Sequence, residues 1–331
     1  MIEHLVGMQA QNPLDPYYAL AARIDSFQPE ELSNLIESRA AVRVPLLRST
    51  IHLVTARDCL SMRPILGSVL ARTFGSTSFA KDIDGVDRAA LLGVARALLE
   101  ERPRTRAELG PILAERWPDR PPGSLAQAAT YLLPIVQVTP RGLWRKKGPA
   151  AWTTIEKWLG RSLEPHASPE ALVIRYLGAF GPAAQKDIRV WSGLAGIAEV
   201  VKGLRPRLIT FKNEQGVELF DLPEAPRPDP ETPAPPRFLP EYDNLLLSHS
   251  DRSRFFDADL IPKGWIGNLL VDGMFIGSWK IERSKGSARL DIELGRKLRR
   301  AHLEEVTVEG SRLLAFTDPA AQTDVSVSYR S

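Results

Sequence analysis

"GSLAQAATYLLPIVQVTPRGLWRKKGPAAWT", residues 123–153, decides the fold. It opens on a run with helical spacing of apolar residues, starting at Ser124. It then passes into two short β-prone runs either side of Pro140-Arg141-Gly142, which reads as a hairpin. Two further helices precede it. "DRAALLGVARALLEE" is amphipathic from about Asp87 to Glu101, with apolar residues at Leu91, Leu92, Ala95 and Leu98. "RPRTRAELGPILAERW" breaks at proline and restarts with Thr105 as N-cap and Glu108 three residues on. Three short helices followed by a hairpin is the order of a winged helix.

The same order recurs downstream. "SPEALVIRYLGAF" is a helix capped by Ser168, "GPAAQKDIRVWSG" and "LAGIAEVVKGL" follow, and "RLITFKNEQGVELFDL" alternates around Asn213–Gly216. Upstream, "QPEELSNLIESR" is a helix and "AVRVPLLRSTIHLVTARD" a hairpin turning near Arg48-Ser49. A first helix for that copy would lie before Met1. A unit repeating at roughly 80 residues suits tandem modules and is too long for a solenoid. The expected organisation is α+β: modules at 1–80, 81–165 and 166–222, a Pro-rich linker at 223–240, and a C-terminal domain at 241–331. That last domain reads as β ("DNLLLSH", "WIGNLLVDGMFIGSWKIE", "ARLDIEL", "DVSVSYR") with one basic helix starting at "GRKLRR", and predicts a small barrel or curled sheet.

Composition narrows the function. The chain has 331 residues, 44% apolar and 25% charged, with a net charge of +3, which permits nucleic-acid binding without demanding it. No apolar run reaches membrane-spanning length and the start has no secretory pattern, so a cytoplasmic protein is expected. The single cysteine, Cys59, excludes an internal disulfide framework, and five scattered histidines disfavour zinc. Neither a metal nor a cofactor is expected.

A helix-turn-helix reads sequence with basic residues on its recognition helix. Here "SLAQAATYLLPIV" has no charge and "LAGIAEVVKGL" one lysine, which argues against a repressor. The positive charge lies in the hairpins: Arg141, Arg145, Lys146 and Lys147 around Trp144, and Arg283, Lys285 and Arg289 in a later turn. Such clusters neutralise phosphates without reading bases, or are simply solvated turns.

"LVGMQAQNP", "RSTIHLVTARD", "YLGAFGPAAQKDIRVWSGL", "FLPEYDNLLLSHSDRSR" and "LLVDGMFIGSWK" occur in this order. Together they resemble the winged-helix DNA glycosylases of the AlkZ/YcaQ-like family over almost the whole chain. The resemblance implies three tandem winged helices, a C-terminal β-barrel, and excision of N7-alkylated purines, including those in interstrand crosslinks. Its motif of Gln, an apolar residue, then Gln or Asp falls on Gln9-Ala10-Gln11, the Gln-x-Gln form of the AlkZ branch. It implies water positioning by Gln9 with support from Gln11, and duplex DNA carrying alkylated purines as partner, for which a monomer suffices. Thr50, His52, Tyr242 and Asp243 become candidates for the active-site cleft, and Arg48 joins the basic residues above as a DNA contact. A lone histidine on an alternating strand is more commonly a packed, hydrogen-bonded residue. Asp15 and Asp243 are the candidates for a carboxylate base, and Tyr17 and Tyr18 are expected in the first module's core.

Two amides share a face only if their segment is extended; on a helix they would lie about 200° apart.

Overall fold

A computed structural model describes residues 1–257, 260 and 267–330. Trp265 and Ile266, which open one of the expected strands, lie outside the described residues. The chain divides into two compact units, Met1–Leu14 with Leu32–Ala225, and Asp15–Glu31 with Pro226–Ser331.

In the first unit the chain contributes strands β1 (Met8–Gln9), β2 (Ala41–Pro45), β3 (Ile51–Thr55), β4 (Arg104–Thr105), β5 (Ile135–Gln137) and β6 (Ala151–Thr154) to one sheet of order β1-β3-β2-β5-β6-β4. The expected first hairpin is β2–β3, turning at Leu47–Ser49, and the second is β5–β6, joined by the long loop 138–150 rather than a tight turn. The two hairpins share the sheet because β2 and β5 pair through Arg43 and Gln137. A third hairpin, β7 (Ile209–Lys212) with β8 (Glu218–Asp221), stands as its own two-stranded sheet.

Helices occupy the places their signals mark. Arg88–Glu101 is capped by Asp87, Pro169–Phe180 by Ser168, and Arg106–Arg116 opens with a reciprocal capping box between Thr105 and Glu108. That box satisfies two otherwise orphaned N–H groups and fixes where the helix starts. Pro122–Leu132 follows, and the second hairpin's Ile135 and Trp152 close over the core formed by Leu91, Leu99, Leu109, Leu113, Leu125 and Ala129. Each such leucine contributes roughly 1.5–3 kcal/mol by leaving water. A twenty-residue helix, Ala56–Gly75, has no counterpart in the sequence reading.

The second unit is an open five-stranded sheet of order β13-β12-β11-β10-β9: β9 (Arg237–Leu239), β10 (Gly267–Val271), β11 (Met274–Ser284), β12 (Ser287–Leu294) and β13 (Gln322–Tyr329). β12 and β13 run parallel, with the helix Arg300–Thr317 between them in sequence, its Val306 and Leu314 packing on Leu290 and Ile292. Among the described residues the sheet does not close, and the helix packs on it. "GRKLRR" largely precedes that helix, which begins at Arg300. The helix Asp15–Ala21 also belongs here: Tyr18 packs edge-on against Trp279 at 5.6 Å, not in the first module's core. Among the described residues no helix is long and apolar enough to cross a membrane.

The helices Arg106–Arg116 and Pro122–Leu132 meet at Gly110, where an added Cβ would lie 2.6 Å from the Pro122 carbonyl oxygen. Alanine is favoured over glycine in a helix interior by about 1 kcal/mol, but overpacking costs about 1–3 kcal/mol and wins here. Gly110→Ala should therefore lower the urea midpoint with the m-value unchanged, and a raised midpoint would contradict this packing.

Candidate active site

The Gln9-Ala10-Gln11 segment is not helical: Gln9 ends the strand β1 and Gln11 opens a bend. Met8 pairs with Leu53 and Gln9 with His52, and the Ala10 N–H donates to the Ile51 carbonyl at 2.8 Å. Gly7, at φ +91°, brings the chain so close to β3 that an added Cβ would meet the Val54 side chain at 2.5 Å. From β2, beyond β3, the buried guanidinium of Arg43 donates from Nη2 to the Ala10 carbonyl at 2.9 Å and to Gln137 Oε1 at 3.1 Å. The Ala10 backbone is thus held through both its N–H, by β3, and its carbonyl, by Arg43. The segment is therefore not helical, yet its two amide side chains end in different surroundings.

The two side chains differ in surroundings. Gln9 is only 5% exposed, and its Oε1 accepts from Arg48 Nη2 at 2.9 Å. Because a guanidinium has donors only, the atom facing it must be the carbonyl oxygen, which leaves the amide nitrogen directed elsewhere. Gln11 is exposed, and its Oε1 accepts a longer bond, 3.3 Å, from the Ile51 N–H. It lines a cavity of about 710 Å³ together with Ser49, Arg106, Gln127, Gln137, Arg141 and Trp152. Gln9, Thr50 and His52 are not among the cavity's walls.

His52 is buried. Its Nε2 lies 3.3 Å from Arg48 Nη2 and its Nδ1 3.1 Å from the Thr50 carbonyl oxygen. Facing a donor on one side and an acceptor on the other, the ring must be neutral with its proton on Nδ1. Burial, and next the charge of Arg48, push its pKa down to about 3. The packed reading of this histidine is the one the structure realises. Burial likewise lowers Arg48 to about 10, so it stays charged at neutral pH. Arg48 is half-buried, and its guanidinium turns inward, to Gln9, His52 and the Trp191 carbonyl.

In the second unit Asp243 is buried, pairs with Arg23 through both oxygens (2.6 and 2.8 Å), and caps the helix Asn244–Leu247 by accepting from the Leu245 N–H. Both carboxylate oxygens are engaged, with Arg23 and with the Leu245 N–H. Tyr242 beside it is half-buried, and desolvation, with Glu241 adding, pushes its hydroxyl up to about 12.

The basic residues divide. Arg141 lines the cavity and donates to the Gly148 carbonyl, while Arg145, Lys146 and Lys147 are exposed on the loop 138–150, with the Arg145 guanidinium 5.5 Å from the Trp144 ring. Arg283 is paired with Asp318, and Arg289 with Asp291 and Glu282, so both are already neutralised within the second unit. Lys285 sits exposed at the β11–β12 turn. Arg106, overlooked in the sequence, donates to Thr130 Oγ1 at 3.0 Å, with its guanidinium 5.8 Å from the Trp152 ring, and burial lowers its pKa. Its signal was its position directly after the Thr105 cap. Arg43 also went unremarked, although a charge inside the apolar alternation "AVRVP" marks a buried cation with partners. Among the described residues no cluster of three or more His, Cys, Asp or Glu side chains is placed to hold a metal.

A family model described as "DNA glycosylase AlkZ-like" matches residues 2–316. Among solved structures, the Streptomyces sahachiroi DNA glycosylase AlkZ is similar in fold, with a TM-score of 0.74 at 18% identity over 99% of this chain and 92% of that one. No curated protein matches the sequence.

The state of His52 carries a pH dependence. In the unfolded chain it returns to its ordinary value of 6.5, so below that pH the unfolded state takes up a proton that the folded state refuses until about pH 3. Its contribution to stability is complete above 6.5 and is lost as pH falls from 6.5 toward 3. The melting temperature should fall over that window, and less steeply in His52→Gln, which keeps an acceptor toward Arg48. Equal slopes in the two proteins would remove the assignment.

Proposed function

The chain belongs to the AlkZ-like DNA glycosylase family, and on that premise we propose that this repair glycosylase excises N7-alkylated purines, crosslinked ones included, by a water held between Gln11 and Gln9. The observation carrying this reading is the non-helical Gln9-Ala10-Gln11 segment, which presents Gln11 to an open cavity while Gln9 stays anchored.

Glycosidic cleavage passes through an oxocarbenium-like state. An N7-alkylpurine already carries a positive charge on its ring. When the C1′–N9 bond breaks, its electron pair neutralises the departing base, and no general acid is required. Water then forms the new C1′–O bond and gives its proton to solvent. An oxocarbenium-like carbon needs a placed water more than a strongly activated one, so a pair of amides suffices.

In our reading Gln11 accepts a hydrogen bond from that water with its carbonyl, and Gln9 holds the same water through its amide N–H. This inverts the division expected from the sequence, and the differing engagement of the two oxygens supports it. A cavity of this size falls within the ordinary range for ligand sites, and its open form suits an adduct too bulky to be drawn into a snug base pocket.

The winged-helix reading of the modules belongs to the same proposal, with the loop 138–150 as the wing that follows the phosphates of duplex DNA and a monomer as the working form. Among the described residues, Lys146 and Lys147 have no carboxylate partner, whereas Arg283 and Arg289 do. Tyr242 and Asp243 support the fold of the second unit rather than the chemistry.

Purified protein should release N7-methylguanine from methylated duplex DNA without added metal. Gln11→Ala and Gln9→Ala should each slow release by roughly 10²–10³, the scale of one lost transition-state hydrogen bond, with duplex affinity nearly unchanged. An inactive parent that binds one sequence tightly would point to a regulator instead. For the wing, each lost phosphate contact should reduce the slope of log K against log salt by about 0.9. The double variant Lys146→Ala/Lys147→Ala should thus lower it by about 1.8, and Arg289→Ala should leave it unchanged. The reverse pattern would move the wing to the β11–β12 turn.

A further inference from the structure

The turn joining β2 to β3 is built against the preferences of its own residues. Arg48 and Ser49 both adopt left-handed backbone, at φ 53° and 57°. For residues bearing a Cβ this conformation is disfavoured, and it persists where surrounding contacts over-determine it. A cation meant for a phosphate would not require this, since a long exposed side chain reaches outward from an ordinary turn. Arg48 reaches inward, to three segments: Gln9 Oε1 at 2.9 Å, His52 Nε2 at 3.3 Å and the Trp191 carbonyl oxygen at 3.4 Å. None of these partners is a carboxylate.

We propose that Arg48 is the positioning residue of the active site, fixing the amide of Gln9 with its oxygen toward the guanidinium and its N–H groups away from it, and does not itself contact DNA. This rests on the reading of Gln9 and Gln11 given above. A glutamine side chain free in water exchanges its oxygen and nitrogen by rotation about the last torsion. Arg48 offers only donors, so the flipped form would set N–H against N–H inside a buried cluster and is excluded. Freezing the amide during folding means that its rotamer freedom is already lost before the substrate arrives, which is how a preorganised site gains rate. His52 completes the lock. Its neutral Nε2 accepts from the same guanidinium nitrogen that holds Gln9, and its Nδ1–H donates to Thr50, so the ring stabilises the cation without adding charge.

The test compares Arg48→Gly, Arg48→Lys, Gln9→Ala and the double variant Gln9→Ala/Arg48→Gly in single-turnover release of N7-methylguanine, alongside duplex affinity across a salt series. Glycine suits the left-handed backbone at this position, so Arg48→Gly removes the guanidinium while relieving the turn. The expected outcome is a rate loss of about 100-fold or more in Arg48→Gly, partial recovery in Arg48→Lys, and a double variant no slower than Gln9→Ala, because two residues acting through one another do not add. Affinity and salt slope should stay at the parent's values. A salt slope smaller by about 1 in Arg48→Gly, or losses that multiply in the double variant, would overturn the proposal and return Arg48 to the phosphates or to an independent role. An inactive parent would overturn the function and leave this inference to a second readout, the side-chain amide NMR signals of Gln9, identified by their loss in Gln9→Ala. Those signals should shift in Arg48→Lys while those of Gln127 stay in place, and an unmoved Gln9 pair would sink it.

Discussion

The first unit depends on one buried cation. Arg43 lies on β2, 2% exposed, and its guanidinium joins three strands that the backbone alone would leave loosely associated. Nε and Nη2 hold Gln137 on β5, and Nη2 also holds the carbonyl of Ala10 just beyond β1. β2 meets β5 through one residue pair, Arg43 with Gln137, so the side-chain bonds carry a junction that the ladder barely makes. A cation taken out of water is costly unless its donors are satisfied, and removing a partner from such a set is far more damaging than never having built it. The loop that follows β5 accommodates this group with Gly142, at φ +98°, where any Cβ would run into the arginine stem. Together with the pairing of β1 to β3, that tie holds the backbone between the two glutamines in place.

Much of this was legible because short-range chemistry fixes it. Thr105 with Glu108, Asp87 and Ser168 are local caps whose partners lie within three residues, and all three helices start where those caps place them. Hairpin turns are equally local. The long helix Ala56–Gly75 escaped notice because the strand β3 runs straight into it without a break, and because Pro64 and three arginines blur its apolar stripe. Its start was nonetheless marked: Thr55 caps it by accepting from the Asp58 N–H. What could not be read was anything set by partners far away in the chain. The sequence offers Asp243 as a candidate base and gives no sign of Arg23, 220 residues earlier, across from it. Arg48 looked like a DNA contact because it sits in a turn, and only the fold shows that its side chain points back into the protein.

Charge in this protein is sorted by what has already been neutralised. Arg283, Arg289 and Arg23 answer carboxylates of their own unit, Arg48 answers neutral oxygen and nitrogen lone pairs, and Lys146 and Lys147 stand in solvent. Counting basic residues along the sequence treats these classes alike, which is why a mild net charge says little about where a polyanion would lie. Exposed pairs such as Arg289 with Asp291 contribute little to stability. Their effect here is to withdraw a cation from outside partners.

The segment Asp15–Glu31 belongs to a unit whose remaining residues begin at Pro226. Tyr18 needs Trp279, Arg23 needs Asp243, and Phe27 needs Phe316. During synthesis this piece emerges on the order of 200 residues ahead of those partners, a wait of roughly 10–40 s at ordinary translation rates. Throughout that interval Tyr18 and Phe27 lack the rings they meet in the folded unit, so apolar surface stays open on the nascent chain.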